Sequence, residues 1–289
     1  MNNKEKDTDK ILGMNRVMFF IIVILLCILS LSIGIYAQIF YRYSDTDPFM
    51  LGIGVGKTQE KAEITALKNG FNDIFTNNIS GETQVKNIKK KDKNKEIVYT
   101  FQTVNEKDED RYNVIANIPK INIDANYAEK INSQISRDYV DRIEEILEKN
   151  DNYIDYSVAY KAYLNGDLLS LIIKETVHEG TEPQSVKITT YNYNLNNNSE
   201  VFIEDIIKAK KYNKDDLQKQ IFSELGELNN KAEQLKSQYS EVMIRDLNDS
   251  MYKVENTENF IVNPDGYVYF IYAYGNMKNT NAIDVIIFE

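Results

Sequence analysis

The feature that most constrains this chain is an uncharged run of 25 residues, 17–41, bounded by Arg16 and Arg42. At about 1.5 Å per residue, a helix of this length exceeds the roughly 30 Å of a bilayer's hydrocarbon core. Basic residues are more numerous before the run than just after it, which favours a cytoplasmic N-terminus. The sequence therefore predicts a single-pass protein of a bacterial cell membrane, with a cytoplasmic tail at 1–16, a transmembrane helix at 17–41, a stalk at 42–48 and an extracytoplasmic remainder.

Two other uses of the apolar run fit less well. A cleaved signal peptide normally has an apolar core of about 7–15 residues and small residues at its cleavage site. The nearest candidate here, Ile35-Tyr36-Ala37, has Ile where a small residue is required. A lipoprotein would need Gly, Ala or Ser before Cys27, where the chain has Leu26. An uncleaved signal anchor is the stronger interpretation, with Cys27 as an apolar helix residue.

The chain beyond the predicted span is acidic. Of its 34 basic and 44 acidic residues, four and three lie within residues 1–41, which leaves a net charge of −11 outside. A domain of this sign repels nucleic acid and attracts cationic partners. The only cysteine lies in the predicted span, so no intramolecular disulfide is expected outside it.

Periodicity divides the exterior into two predicted parts. Residues 50–56 read as a glycine-spaced strand, and Thr58 begins a helical pattern. These indicate a small α/β unit of unassigned role at 49–105, with a boundary near 106–110. The second predicted part covers residues 111–289.

The second part alternates strands with a few helices. A strand is predicted at 112–118, ended by Pro119. After Asp124, a long amphipathic helix places Ile131, Ile135, Tyr139, Ile143 and Ile146 on one face. Strands at 154–164 and 168–177 flank Asn165-Gly166, a dipeptide typical of a two-residue hairpin. Further strands are predicted at 185–194, 260–262, 267–274 and 283–288, with helices near 201–207, 215–228 and 232–247. This order indicates an α+β fold with a largely antiparallel sheet packed with helices.

Familiar catalytic patterns fail on this sequence. The segment Gly52-Ile53-Gly54-Val55-Gly56-Lys57-Thr58 resembles the end of a phosphate-binding loop, but Leu51 stands where the pattern needs Gly. The single histidine cannot by itself build a zinc site or a Ser–His or Cys–His pair. We therefore expect no cofactor, no metal and no catalytic site, although a pair of carboxylates acting in hydrolysis is an open alternative.

Three features are candidates for binding. His178 lies among carboxylates that could pair with it or bind a hard cation, although a solvated hairpin end is the simpler and favoured explanation. Tyrosines at strand spacing provide binding surface wherever they are exposed, although packing within the sheet is the commoner explanation. Six lysines between residues 86 and 95 could meet anionic wall polymer or lipid headgroups, although a solvated β-turn is the favoured explanation. The predicted ligand-binding surface consists of His178, Glu179, Glu182, Tyr191, Tyr193, Tyr272 and Tyr274.

Several segments occur in an order that resembles a known module. They are Ala116-Asn117-Ile118-Pro119, Ala128-Glu129-Lys130-Ile131-Asn132, Leu168-Leu169-Ser170-Leu171, Tyr191-Asn192-Tyr193-Asn194-Leu195 with residues 201–207, and Asn259 to Gly266 with Tyr274. Over about residues 111–289 the chain resembles the extracytoplasmic domain of the lysozyme-sensing anti-sigma-V factors, which also precedes the catalytic domain of membrane-anchored peptidoglycan deacetylases. The resemblance implies an α+β ectodomain that binds lysozyme, a strongly basic protein.

The chain departs from that family in two places. The turn after the hairpin reads Glu179-Gly180-Thr181-Glu182-Pro183-Gln184 instead of a glycine- and histidine-rich turn. The tail of about 16 residues is too short for a sigma-binding clamp. The sequence thus predicts a membrane-anchored binding or sensor module for a cationic protein such as lysozyme, or for a cell-wall component. The alternatives are a wall-modifying enzyme and an envelope assembly or scaffold protein.

Overall fold

The structure is a computed structural model. It divides the chain into two compact units, 1–70 and 71–289. None of the helices in its described part is long and apolar enough to cross a bilayer. The described residues are 10–11, 14–15, 59–148, 152–236, 242–275 and 280–289. The predicted span and stalk lie outside them, as does the predicted tail except for four backbone positions, so all three remain predictions.

The first unit contains two short strands and one helix in its described part. Strands β1 (Lys10–Ile11) and β2 (Met14–Asn15) pair in antiparallel fashion. Helix α1 (Gln59–Asn69) confirms the helical pattern predicted from Thr58. It ends at Gly70, whose N–H donates to the carbonyl of Ala66 at 2.9 Å. The strand predicted at 50–56 lies outside the described residues.

The larger sheet of the second unit has seven strands. Their order is β4-β5-β6-β7-β8-β9, and β3 pairs with the half of one β6 edge that β5 leaves open. The β3–β6 and β5–β6 pairs are parallel and the others antiparallel, which confirms a largely antiparallel sheet. The strands are β3 (Ile79–Thr83), β4 (Val98–Asp108), β5 (Tyr112–Ile121), β6 (Ile154–Gly166), β7 (Leu168–Glu179), β8 (Ser185–Asn194) and β9 (Ser199–Glu200).

The β6–β7 hairpin turns where the sequence predicts. Its two strands pair continuously from Ile154 opposite Glu179 to Asn165 opposite Leu168. Gly166 has φ +61°, a left-handed conformation that glycine adopts without strain. The register then fixes which side chains of β6 and β7 share a face.

A long helical segment crosses one face of this sheet. It consists of α2 (Asn126–Ile135), a π-helical turn (Ser136–Val140) and α3 (Asp141–Glu148). Because β5 and β6 are parallel, the chain needs a crossover of about this length to connect them. The predicted apolar stripe is confirmed, since all five of its side chains are buried in one core with residues of β5 to β8.

A second core lies around a three-stranded antiparallel sheet. Its strands are β10 (Phe260–Val262), β11 (Val268–Ala273) and β12 (Ile283–Phe288). Helices α4 (Ile203–Lys210) and α5 (Lys214–Leu235) bury Ile207, Ile221 and Leu225 with one face of it. Hydrogen bonds that join the small sheet to the larger one include Val262 N–H to Ser170 Oγ (3.1 Å) and Asn192 Nδ2 to the Phe260 carbonyl (2.8 Å).

The structure places the main division of the chain after Gly70 instead of near 106–110. Asp108 and Tyr112 are paired residues at the end of the β4–β5 hairpin, so the charged stretch between them is a turn within one sheet. Both cores and all strands of the two larger sheets lie within 71–289. This unit therefore has what it needs to fold without residues 1–70.

Two other boundaries differ from the predictions. Strand β5 runs through Pro119 to Ile121. The strand tolerates the proline because the register of β4 shifts between Thr100 and Gln102, opposite Pro119, so no hydrogen bond from an N–H is needed there. The helices predicted at 215–228 and 232–247 are instead one helix, α5, and residues 242–246 are irregular.

Candidate functional site

The seven residues of the predicted binding surface lie in separate places. His178 and Glu179 are neighbours on β7, so their side chains leave opposite faces of the sheet. His178 Nδ1 is 3.7 Å from the Asp155 carboxylate, which also accepts a hydrogen bond from Asn113 Nδ2 at 3.0 Å. This pair lines a shallow hollow of about 170 Å³. Glu182 is exposed in the turn that follows.

The four tyrosines of that prediction are buried. Tyr191 and Tyr193 extend from β8 toward α2, whereas Tyr272 and Tyr274 belong to the second core. Tyr274 donates to Asp284 at 2.6 Å and is fully enclosed. These side chains do not form a solvent-facing aromatic surface, because helices or a second sheet cover both faces of the strands that carry them. Tyr191 also borders a cavity.

That cavity is a groove of about 340 Å³ between α2 and β8. We call it the α2–β8 groove. One wall consists of residues one turn apart on α2, and the other of successive residues of β8, while β9 and the segment before β10 complete the rim. Six residues define it: Tyr127, Lys130, Gln134, Lys187, Thr189 and Tyr191.

Aromatic stacking fixes one end of the groove. The rings of Tyr127 and Tyr193 stack with centroids 5.7 Å apart and an interplanar angle of 12°. Lys130 lies one helical turn from Tyr127, and its Nζ is 5.8 Å from that ring. Burial, followed by the neighbouring Glu200 carboxylate, holds the pKa of Tyr127 above its usual range. Tyr127 therefore stays a neutral hydrogen-bonding group at physiological pH.

The floor of the groove has an unsatisfied polar group. Tyr191 is only 9% exposed, and its hydroxyl has no hydrogen-bond partner in the structure. Burial raises the pKa of this tyrosine to about 12, so the hydroxyl remains protonated. The nearby Tyr139 hydroxyl, by contrast, donates to Thr189 Oγ1 at 3.1 Å. A buried polar group normally finds a partner, because leaving it unpaired costs about 1–3 kcal/mol.

Charges of both signs surround the opening. Lys130 and Lys187 supply two cations, and Glu200 and Glu258 supply two anions, all with exposed side chains. Glu175, opposite Lys187 in the β7–β8 ladder, is partly buried. Burial raises the pKa of Glu175 despite the attraction of Lys187. The groove thus offers hydrogen-bond donors, acceptors and both charges to one ligand.

The opposite rim is held rigidly to β8. The amide of Thr190 donates to Asn259 Oδ1 at 3.1 Å, and the amide of Phe260 donates to Thr190 Oγ1 at 3.2 Å.

No group of three or more His, Cys, Asp or Glu side chains in the described part of the chain is arranged to hold a metal ion. What the groove can do chemically is bind a small polar molecule in a preformed space.

Sequence reasoning found only part of this site. Tyr191 was among the predicted binding residues, but Tyr127, Lys130, Lys187 and Glu200 were not. The signal that the sequence offers for them is weak. Tyr127 lies four residues before Ile131, at the edge of the apolar stripe of α2, and Lys187 is the one charged residue of β8.

Comparisons with known proteins give structural neighbours only. No protein-family model matches the sequence, and neither does any curated protein. Several solved structures are similar to it. Two of them are DUF3298 family proteins. The one from Bacteroides fragilis NCTC 9343 has a TM-score of 0.37 and 15% identity, over 61% of this chain and 81% of that chain. The one from Pseudomonas aeruginosa PAO1 has a TM-score of 0.37 and 10% identity, over 62% and 82%.

Proposed function

We propose that this chain is a membrane-anchored, extracytoplasmic binding module without its own catalytic site, and that its ligand occupies the α2–β8 groove. The anchor and the orientation come from the apolar run at 17–41. The resemblance of residues 111–289 to the ectodomain of lysozyme-sensing anti-sigma factors supports a sensor role. The groove supplies the place where a ligand would be recognised.

The unpaired hydroxyl of Tyr191 is the observation that carries this proposal. A side chain that is nine-tenths buried with no partner costs stability, and it borders a polar-lined cavity. A ligand atom that accepts or donates a hydrogen bond there would remove this cost. This new hydrogen bond would therefore contribute to the free energy of binding.

The charges around the opening favour a particular class of ligand. Two lysines and two glutamates suit a molecule with both carboxylate and amino groups, and the threonines, Gln134 and Asn259 suit hydroxyls and amides. A cell-wall fragment that contains sugar and short peptide has all of these groups. We assign the groove to such a muropeptide-like ligand.

Lysozyme is the second candidate ligand. The net charge of −11 beyond residue 41 would steer a strongly basic protein toward this module, and the family resemblance points to the same partner. A protein would contact a much larger surface than the groove. Its binding should also weaken as salt is added, since the attraction is long-range and screened.

A wall-modifying enzyme is the competing function, and Glu175 is the observation that favours it. A carboxyl group whose pKa is raised by burial is a candidate general acid, and this one lies beside the groove. Purified 71–289 would then cleave or deacetylate peptidoglycan, and Glu175→Gln would abolish the reaction. If neither the unmodified fragment nor its Glu175→Gln variant turns over peptidoglycan, the binding module is supported.

The test is a titration of the 71–289 fragment followed by amide chemical shifts. We expect a soluble muropeptide to shift amides of α2, β8 and residues 258–259 selectively, at low and high salt alike. Shifts caused by lysozyme alone, spread over a broad surface and lost at high salt, would favour the second candidate. No shift with either ligand would reject the proposal. The test variant is Tyr191→Phe, which removes the unpaired hydroxyl. Its matched control is Tyr163→Phe, which removes a hydroxyl on the other face of the sheet.

A further inference from the structure

The lysine cluster predicted from the sequence forms an ordered loop. Residues 86–95, here called the basic loop, contain six lysines and one aspartate in a chain whose net charge is −10. The side chain of Asn122 is buried under the loop. Its Nδ2 donates to the carbonyls of Asp92 (2.7 Å) and Glu96 (3.1 Å), and its Oδ1 accepts from the Asp92 amide (2.9 Å). The lysines are therefore presented by a fixed backbone.

Half of these lysines are available to a partner. Lys91 forms a salt bridge with Glu129 at 2.8 Å, and Lys90 donates to the Lys95 carbonyl at 2.8 Å. Of the other four, Lys95 lies over the ring of Tyr99. Lys86, Lys89 and Lys93 are exposed, and no salt bridge within the described ranges uses them.

A stripe of cationic and aromatic side chains continues from the loop along β4 and β5, in which Tyr99 and Lys120 are half-buried and Phe101 is exposed. Lys95 Nζ lies 5.2 Å from the ring centre of Tyr99, and Tyr99 is directly opposite Lys120. Lys120 Nζ in turn lies 4.7 Å from the ring of Phe101, which is 52% exposed. Cationic and aromatic groups thus alternate on one outward face of the sheet.

We propose that the basic loop and this stripe dock onto an anionic phospholipid surface. The lysines would be attracted to lipid phosphates, and Phe101 and Tyr99 would enter the interfacial region, where aromatic rings are favoured. An anionic polymer in solution would use the lysines but gain little from Phe101. The sequence-predicted span would keep the chain at a bilayer. The acidity of the rest of the domain opposes docking only weakly, because charges more than about 10 Å away are screened. The inference is independent of the α2–β8 groove.

The experiment is co-sedimentation of the 71–289 fragment with vesicles of phosphatidylcholine, with and without phosphatidylglycerol. The fragment lacks the predicted span, so any binding reports on the folded unit. The test variant carries Lys86→Gln, Lys89→Gln and Lys93→Gln. The control variant carries Lys208→Gln, Lys210→Gln and Lys253→Gln, which removes the same charge from exposed positions elsewhere. Phe101→Ser tests the aromatic contribution separately.

We expect the fragment to bind only the anionic vesicles and to be released by salt. One lysine near an anionic surface contributes roughly a fivefold factor, so the triple test variant should bind on the order of 100-fold more weakly while the control variant is unchanged. Phe101→Ser should lose about fivefold. Equal binding to neutral vesicles, equal loss in both triple variants, or binding to soluble poly(glycerol phosphate) without binding to vesicles would overturn the proposal. Far-ultraviolet circular dichroism shows whether each variant is folded.

Discussion

Arg245 and Asp284 form a bidentate ion pair inside the protein. Arg245 Nη2 donates to Asp284 Oδ1 at 2.7 Å, and Arg245 Nε donates to Asp284 Oδ2. Their side chains are only 11% and 6% exposed. Asp284 also accepts from the Tyr274 hydroxyl, which contacts the Tyr252 hydroxyl at 2.9 Å. This network ties the irregular segment before residue 250 to β12.

Removing one partner of this pair should destabilise the fold severely. Arg245→Met leaves the Asp284 carboxylate buried without its cation, and we expect a loss of about 3–5 kcal/mol in the free energy of unfolding. Urea denaturation measures it. Lys214→Met breaks the exposed pair with Glu204 at 2.7 Å and should cost less than about 1 kcal/mol. Similar losses in the two variants would contradict this account.

Asn122 should matter more than its size suggests. Asn122→Ala removes every hydrogen bond that the side chain makes to the basic loop and leaves buried backbone groups unpaired. The expected cost is about 3 kcal/mol, read from thermal or urea unfolding. The exposed Asn87→Ala, in the same loop, should change stability by no more than about 0.5 kcal/mol. A small effect of Asn122→Ala would show that the loop is not held as described.

Lys161 should hold strand β3 in place. It is 8% exposed, and its Nζ donates to Thr76 Oγ1 (3.1 Å), Ser80 Oγ (2.6 Å) and Asn78 Oδ1. Burial lowers the pKa of this lysine. We expect Lys161→Met to speed amide exchange in β3 at least tenfold while β7 and β8 stay protected, as measured by hydrogen–deuterium exchange. Lys208→Met should leave all three strands unchanged, and uniform acceleration in Lys161→Met would contradict a local role.

The fold should lose stability in alkaline solution. Burial raises the pKa of Tyr191 and of Tyr193 to about 12, from an ordinary value of 10.0. Between these values the unfolded chain has released protons that the folded chain keeps, so stability falls as pH rises above 10. Each tyrosine contributes a slope of about 1.4 kcal/mol per pH unit. Urea unfolding from pH 9 to about 12 should show this decline in the free energy of unfolding, with a shallower slope in Tyr191→Phe. A free energy of unfolding that does not change over this range would contradict the prediction.

Local pattern predicted much of the fold and little of the site. The helix stripe ending at Ile146 and the turn at Gly166 were predicted because hydrophobic spacing and glycine conformation are local properties. The charged turn between Asp108 and Tyr112 reads like a linker, because a hairpin turn and a linker have the same polar composition. The α2–β8 groove depends on where α2 crosses β8, about 60 residues later in the chain, and no local pattern records that crossing.

The buried tyrosines illustrate the same limit. Alternation in β8 and β11 correctly separates two faces, yet it cannot tell which face is covered. Tyr272 and Tyr274 point toward α5 and the second core, and Tyr191 and Tyr193 toward α2, so burial was decided by elements far away in sequence.

The most direct test of the binding proposal measures stability and affinity together in Tyr191→Phe. Because the hydroxyl is unpaired in the free protein, its removal should leave the free energy of unfolding unchanged or raise it by about 1 kcal/mol. Calorimetric titration with a soluble muropeptide should then show at least tenfold weaker binding than the unmodified fragment or Tyr163→Phe. A variant that is less stable but binds as tightly as before would show that Tyr191 is a core residue and that the groove is not the ligand site.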